Sequence, residues 1–229
     1  MIKLRPAEER GRFRIKWLDS RHTFSFGHYY DPRHMGVSSL RVINDDRVVP
    51  GAGFETHPHR DMEIISYILE GSIEHRDTMG NRTRLRAGEV QVISAGTGIM
   101  HSEFNPDREK PLHFLQVWIR PERQGLRPGY VQRDFSAARG VTLIVSRDGE
   151  NGSLKAHQDV RIYQLRLSAE RVELPLQADR VYYLHVARGG LELNGTRLQE
   201  GDGGIIEAES LLAIDVGDGV EALLFDLAA

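Results

Sequence analysis

Apolar positions in this chain come in short runs, and turn-forming residues interrupt nearly every one of them. The run Val141-Thr142-Leu143-Ile144-Val145 is among the longest and has the length of a strand. Apolar recurrence at helical spacing is not sustained over any long window. Twenty-three glycines and nine prolines supply the punctuation. The pattern predicts an all-β protein.

The pattern also repeats. Tyr67-Ile68-Leu69-Glu70-Gly71-Ser72-Ile73-Glu74 aligns with His185-Val186-Ala187-Arg188-Gly189-Gly190-Leu191-Glu192, and Thr83-Arg84-Leu85-Arg86-Ala87-Gly88-Glu89 with Thr196-Arg197-Leu198-Gln199-Glu200-Gly201-Asp202. The second copy has a tighter hairpin, where Asn194-Gly195 is a type I′ turn signal. Two copies of one strand–Gly–strand–turn–strand–Gly unit predict two similar β-barrels in tandem. The join falls in the turn-rich, charged stretch 120–129, which divides the chain into residues 1–128 and 129–229.

Composition narrows the setting. A chain of 229 residues with a formal net charge of −3 has no general attraction for nucleic acid or anionic membranes. The basic N-terminal stretch (Lys3, Arg5, Arg10, Arg12, Arg14, Lys16) is broken by Glu8 and Glu9, and no apolar segment follows it. No run is long enough to span a bilayer. The expected location is the cytoplasm. There is no cysteine, which excludes disulfides, thiolate-bound metals and cysteine nucleophiles together. Any metal must be held by nitrogen and oxygen.

Such ligands are present. His57-Pro58-His59 follows Gly51 and Gly53, and His101-Ser102-Glu103 follows the Gly96-Thr97-Gly98 turn. In a strand, spacing i, i+2 puts both side chains on one face. Two such strands facing each other present three imidazoles and one carboxylate to a single point. The register of the repeat places Pro175, Gln177, Ile214 and Val216 at the matching positions of the second half. The second barrel therefore has no ligand set. The other seven histidines (His22, His28, His34, His75, His113, His157, His185) have no paired spacing and are read as structural. Glu63 has the same parity as His57 and His59, so parity alone permits it as an alternative carboxylate ligand.

Gly51-x5-His57-x-His59-x3-Glu63, closing at Gly71, resembles the first cupin motif. Gly88 through Gly96-x-Gly98-x2-His101-x3-Asn105 resembles the second, with Gly96 where a proline is usual. More specifically, the chain resembles the pirin family. The resemblance rests on His57-Pro58-His59-Arg60-Asp61-Met62-Glu63, on Tyr67-x-Leu69-Glu70-Gly71-x2-Glu74-His75-x-Asp77, and on Ser94-Ala95-Gly96-x-Gly98-Ile99-x-His101-Ser102-Glu103. Arg21-His22-Thr23-Phe24-Ser25-Phe26 and Gly152-Ser153-Leu154-x2-His157-Gln158-Asp159 extend it over nearly the whole chain. Among pirins it is most similar to the bacterial quercetin 2,3-dioxygenase-like members.

The resemblance implies a bicupin: two stacked jelly-roll-like barrels, with metal only in the N-terminal one. It places the carboxylate ligand on Glu103, leaving Glu63 a supporting role or none. It also implies a flavonol substrate cleaved by O₂ to a depside with release of carbon monoxide, Glu103 accepting the proton of the substrate's 3-hydroxyl. His57, His59, His101 and Glu103 would hold one divalent transition metal. Fe(II) is preferred, and Mn, Co, Ni, Cu and Zn also suit the donor set. Phe24, Phe26 and Met100 are candidates to line a pocket for a flat ring, set against a plain core role. The alternative is a metal-dependent protein-interaction role in transcriptional regulation, or other cupin chemistry. The expected partners are a small aromatic substrate and O₂, or a protein under that alternative.

Overall fold

The computed structural model describes all 229 residues, and its regular structure is almost entirely strand. In the N-terminal half a seven-stranded sheet runs in the order Gly129–Asp134, Glu89–Ser94, Glu63–Glu70, Leu112–Ile119, Leu40–Val48, Leu18–His22, Gly11–Arg14. A four-stranded sheet, in the order Gly53–His59, Ile99–Phe104, Ser72–Asp77, Arg82–Arg86, packs over one face of it. The C-terminal half repeats the plan around the long strand Arg180–Leu193, which pairs with Val220–Ala228 and Gly203–Ile206. Asn194 and Gly195 both have positive φ, 45° and 78°, as a type I′ hairpin requires. No helix is long and apolar enough to cross a membrane.

Both faces of the large sheet are buried, and strand alternation sorts them. Ile65, Tyr67, Leu69, Val90, Val92, Leu115, Val117 and Ile119 point toward the C-terminal half. There they join Ile144, Val160, Ile162, Tyr183, Leu223 and Phe225 in one core cluster of 24 buried residues. Each fully buried aliphatic or aromatic side chain contributes about 1.5–3 kcal/mol. Parting the halves would expose most of that cluster, so the two barrels behave as one unit. The opposite face of the large sheet looks into the N-terminal barrel. Ile64 and Ile93 form an apolar layer near one end, Ile68 and Phe114 one near the other. Between them lies a row of polar side chains.

Strand pairing crosses the expected division at residue 128 twice. Gly129–Asp134 pairs with Glu89–Ser94 and so belongs to the N-terminal sheet. Ile2–Arg5 pairs with Gly203–Ile206 and caps the C-terminal sheet. Local turn content marked the join, but each exposed strand edge takes whichever strand can satisfy its backbone N–H and C=O groups.

His185 sits at the junction of the halves. It is fully buried, and neither ring nitrogen has a hydrogen-bond partner. Burial, helped by the Arg10 guanidinium, pushes its pKa down to about 3. The folded value lies below the unfolded one of about 6.5. Between the two the unfolded chain binds a proton that the folded chain refuses, so stability falls as pH drops through that window. At about 1.4 kcal/mol per pH unit, His185→Leu is expected to lose roughly 2–3 kcal/mol less than the unsubstituted chain between pH 6.5 and 4.5. Urea unfolding at the two pH values measures this; equal losses would remove His185 as a source of acid sensitivity.

Candidate metal centre

The two pairs flagged by their spacing meet. Gly53–His59 and Ile99–Phe104 are antiparallel neighbours, with His57 directly opposite His101. Gly53 makes the approach possible: a Cβ there would sit 2.2 Å from the backbone carbonyl of Glu103. The turn before His101 uses Gly96 at φ +46°. Proline is locked near −65°, so the residue usual in this motif could not adopt that turn.

Three imidazoles converge. Ring centroids are 4.5 Å apart for His57 and His101, and 4.8 Å for His59 with each of them. His57 Nδ1 lies 2.7 Å from the Glu55 carbonyl and donates to it, which leaves Nε2 as a free lone pair. That lone pair faces His101 Nε2 at 3.1 Å. Two nitrogens each about 2.0–2.1 Å from one ion, at right angles, would stand about 3 Å apart. His59 Nε2 is buried beside them without a partner. Burial first, then the neighbouring imidazoles, pulls His59 down to about 4 and His101 to about 3. Both rings are neutral at pH 7, the form that ligates. The donor set fits a borderline divalent ion.

Glu103 lies one step further in. Its carboxylate groups with His101 and His75, whereas His57, His59 and His101 form the other close set. His101 belongs to both. Glu103 is clamped by the polar row on the opposing sheet: Oε1 accepts from Gln91 Nε2 (2.7 Å) and Ser66 Oγ (3.1 Å), and Oε2 from Gln116 Nε2 (3.0 Å). These three donors are direct cross-strand neighbours in the register Gln116–Ser66–Gln91. A carboxylate has about four lone-pair positions, so three donors leave one for a cation.

Glu63 has a different place. A turn at residues 60–62, with Asp61 at φ 48°, separates it from His59 and puts it on the large sheet. Its side chain turns away from the N-terminal barrel and accepts from Ser94 Oγ (2.8 Å) and the backbone N–H of His157 (3.2 Å). Parity does not carry through such a turn. His157 is thereby a contact between the halves.

The second half lacks the cluster, with a shifted register. Val172 stands opposite Ile214, and Leu174 opposite Leu212. If Ile214 takes the place of His101, strand pairing puts Val172 and Leu174, in place of Pro175 and Gln177, where His57 and His59 stand. Ile214 and Val216 are buried in an apolar core against which Val172 and Leu174 pack.

The residues around the cluster differ from those expected. Phe24 packs against Tyr183 in the core between the halves, and Met100 is exposed on the outer face of its strand. Phe26 is nearer, edge-on to Trp118, whose ring lies 5.1 Å from His59. On the other side an open hollow of about 560 Å³ is lined by Trp17, Phe54, Phe104 and His57. His75, read from its lone spacing as structural, is fully buried beside the cluster and stacks on Tyr130 at 4.6 Å. The missed signal is His75-x-Asp77, a third i, i+2 pair on the strand next to the ligand strand.

The Pirin family profile matches residues 3–119, and one described as the quercetinase C-terminal cupin domain matches residues 143–227. A protein of Escherichia coli strain K12 named quercetin 2,3-dioxygenase is 49% identical over 99% of this chain and 99% of its own length. The crystal structure of YhhW from Escherichia coli superposes with a TM-score of 0.97 at 49% identity, covering 99% of this chain and 97% of that one. A structure of bacterial pirin YhhW in complex with nickel(II) gives 0.96 at 48% identity, covering 100% and 99%.

Proposed function

This chain belongs to the pirin family of bicupin proteins, and on that premise we propose that it is a metal-dependent dioxygenase of flavonols such as quercetin. The products would be a depside and carbon monoxide. The observation that carries the proposal is the convergence of neutral imidazoles with a free lone pair on a partly open face of the barrel.

In this reading His57, His59, His101 and Glu103 hold one divalent ion, with Fe(II) preferred. The metal would supply Lewis-acid orientation of the substrate and a place for O₂. The chain does the rest. His57 and His59, on the more exposed strand, border the entry. Trp17 and Phe54, edge-on to each other at 5.1 Å, give a flat ring an aromatic wall beside His57. Glu103 accepts the 3-hydroxyl proton of the substrate at the position that the Ser66 hydroxyl, free to rotate, gives up. Ser66, Gln91 and Gln116 hold its carboxylate at a fixed angle until then.

Protein reloaded separately with Fe(II), Ni(II), Co(II) or Mn(II) is expected to consume O₂ with quercetin, bleach its absorbance and release carbon monoxide stoichiometrically. The analogue lacking the 3-hydroxyl should not turn over. No carbon monoxide with any of the ions would reject the flavonol reading and leave metal-dependent partner binding or other cupin chemistry.

A further inference from the structure

His101 directs Nε2 at His57, and its other ring nitrogen, Nδ1, is buried with no partner. A metal-bound histidine normally donates that second N–H to an acceptor, which fixes the ring and strengthens the ligand. The acceptor has to be found among the groups packed behind His101.

His75 packs behind His101 and has an unpaired ring nitrogen of its own. Its ring centroid is 5.4 Å from that of His101, and ligand-capable atoms of the two lie within 4.8 Å. His75 Nε2 faces Asp77 Oδ2 at 2.9 Å. The Asp77 carboxylate is otherwise surrounded by donors. Oδ1 accepts from the backbone N–H groups of Met79 (2.9 Å) and Asn81 (3.0 Å), and Oδ2 from Asn81 Nδ2 (2.8 Å). A carboxylate so placed can only accept, so His75 Nε2 carries a proton and donates it. His75 Nδ1, buried and without a partner, is left to accept. The stacked ring of Tyr130 holds the imidazole plane.

We propose that His75 is a positioning residue for the metal centre. Asp77 fixes its tautomer, and His75 Nδ1 receives the Nδ1–H of His101 through one water, or directly once the His101 ring turns onto the ion. The chain Asp77–His75–His101 then aims His101 Nε2 at the ion and raises its basicity. A second ion between His75, His101 and Glu103 is the competing use of the same atoms. It is disfavoured because three donors leave the Glu103 carboxylate a single lone-pair position, which the ion held with His57, His59 and His101 takes. The proposal rests on the reading of His101 as a ligand.

The test is competitive Ni(II) titration of the full chain, with stoichiometry and unfolding midpoint measured alongside. His75→Leu is expected to weaken Ni(II) by about 10–100-fold at one ion per chain. His75→Gln, whose amide can donate to Asp77 and accept from His101, should recover most of the loss. Asp77→Asn keeps the imidazole but can donate to Nε2 and reverse the tautomer, so it should weaken Ni(II) too, even if His75→Leu fails to fold. Wild-type affinity in His75→Leu or in Asp77→Asn would overturn the proposal. So would a Gln variant as weak as a folded Leu variant, or two ions in the unsubstituted chain falling to one in the Leu variant. His101→Ala separates the premises. Full occupancy there rejects the ligand reading itself, whereas its loss beside an unaffected His75→Leu rejects only the positioning role.

Discussion

A His101→Ala chain is expected to leave purification without its metal, while a His157→Ala chain keeps about one divalent ion. His101 is the shared member of both close sets of candidate ligands, so its removal takes a donor from the centre of the cluster. The affinity loss should exceed the roughly 10–100-fold that an outer partner commands. His57→Ala should act in the same direction, because its lone pair faces the same point from the opposite strand. The two differ in their effect on the fold. His101 is 1% exposed and its truncation leaves a hole in the barrel, whereas His57 stands at the partly open edge. The unfolding midpoint of metal-free protein should therefore fall more for His101→Ala. Elemental analysis gives occupancy directly; full occupancy in both alanine variants would remove these histidines from the site.

The imidazole cluster was legible in the sequence because the i, i+2 spacing survives folding unchanged as long as each pair stays on one strand. His57 with His59, and His101 with Glu103, meet that condition. Glu63 does not, since a turn at residues 60–62 sends it to the other sheet. The polar row that holds Glu103 was invisible for another reason. Ser66, Gln91 and Gln116 interrupt apolar runs singly and become neighbours only through cross-strand register. His75 was hidden because its partner is an aspartate rather than a second histidine. Gly129–Asp134 was assigned by turn content to the second half, yet it brings Tyr130 against His75 in the first. The all-β bicupin plan depended on repeats and local patterns and came through intact. What depended on which edge a strand chose did not.

The sharpest contrast among the carboxylates is between Glu103→Gln and Glu63→Gln. In Glu103→Gln the new amide keeps one acceptor oxygen but turns an NH₂ group toward Gln116 Nε2, Gln91 Nε2 or Ser66 Oγ, where two of the three are donors only. With Gln91 and Gln116 held as they are, at least one buried donor then loses its acceptor, at about 1–3 kcal/mol. The charge that would balance a divalent ion is lost as well. Metal should bind more weakly, and flavonol turnover should fall below detection because the proton acceptor is gone. Glu63→Gln changes a residue that faces Ser94 and the His157 backbone at the junction of the halves. Both bonds end on one oxygen, Oε2, so an amide oxygen in its place can still accept both; metal occupancy should be unchanged and the midpoint lower by no more than a few °C. Metal titration and thermal unfolding of the two variants decide the assignment. If Glu63→Gln lost the ion and Glu103→Gln kept it, the carboxylate ligand would have to come from the first motif. His59 and Glu63 would then have to share a site despite lying on opposite sheets, which this fold does not allow without unpairing Glu63 from Ser94.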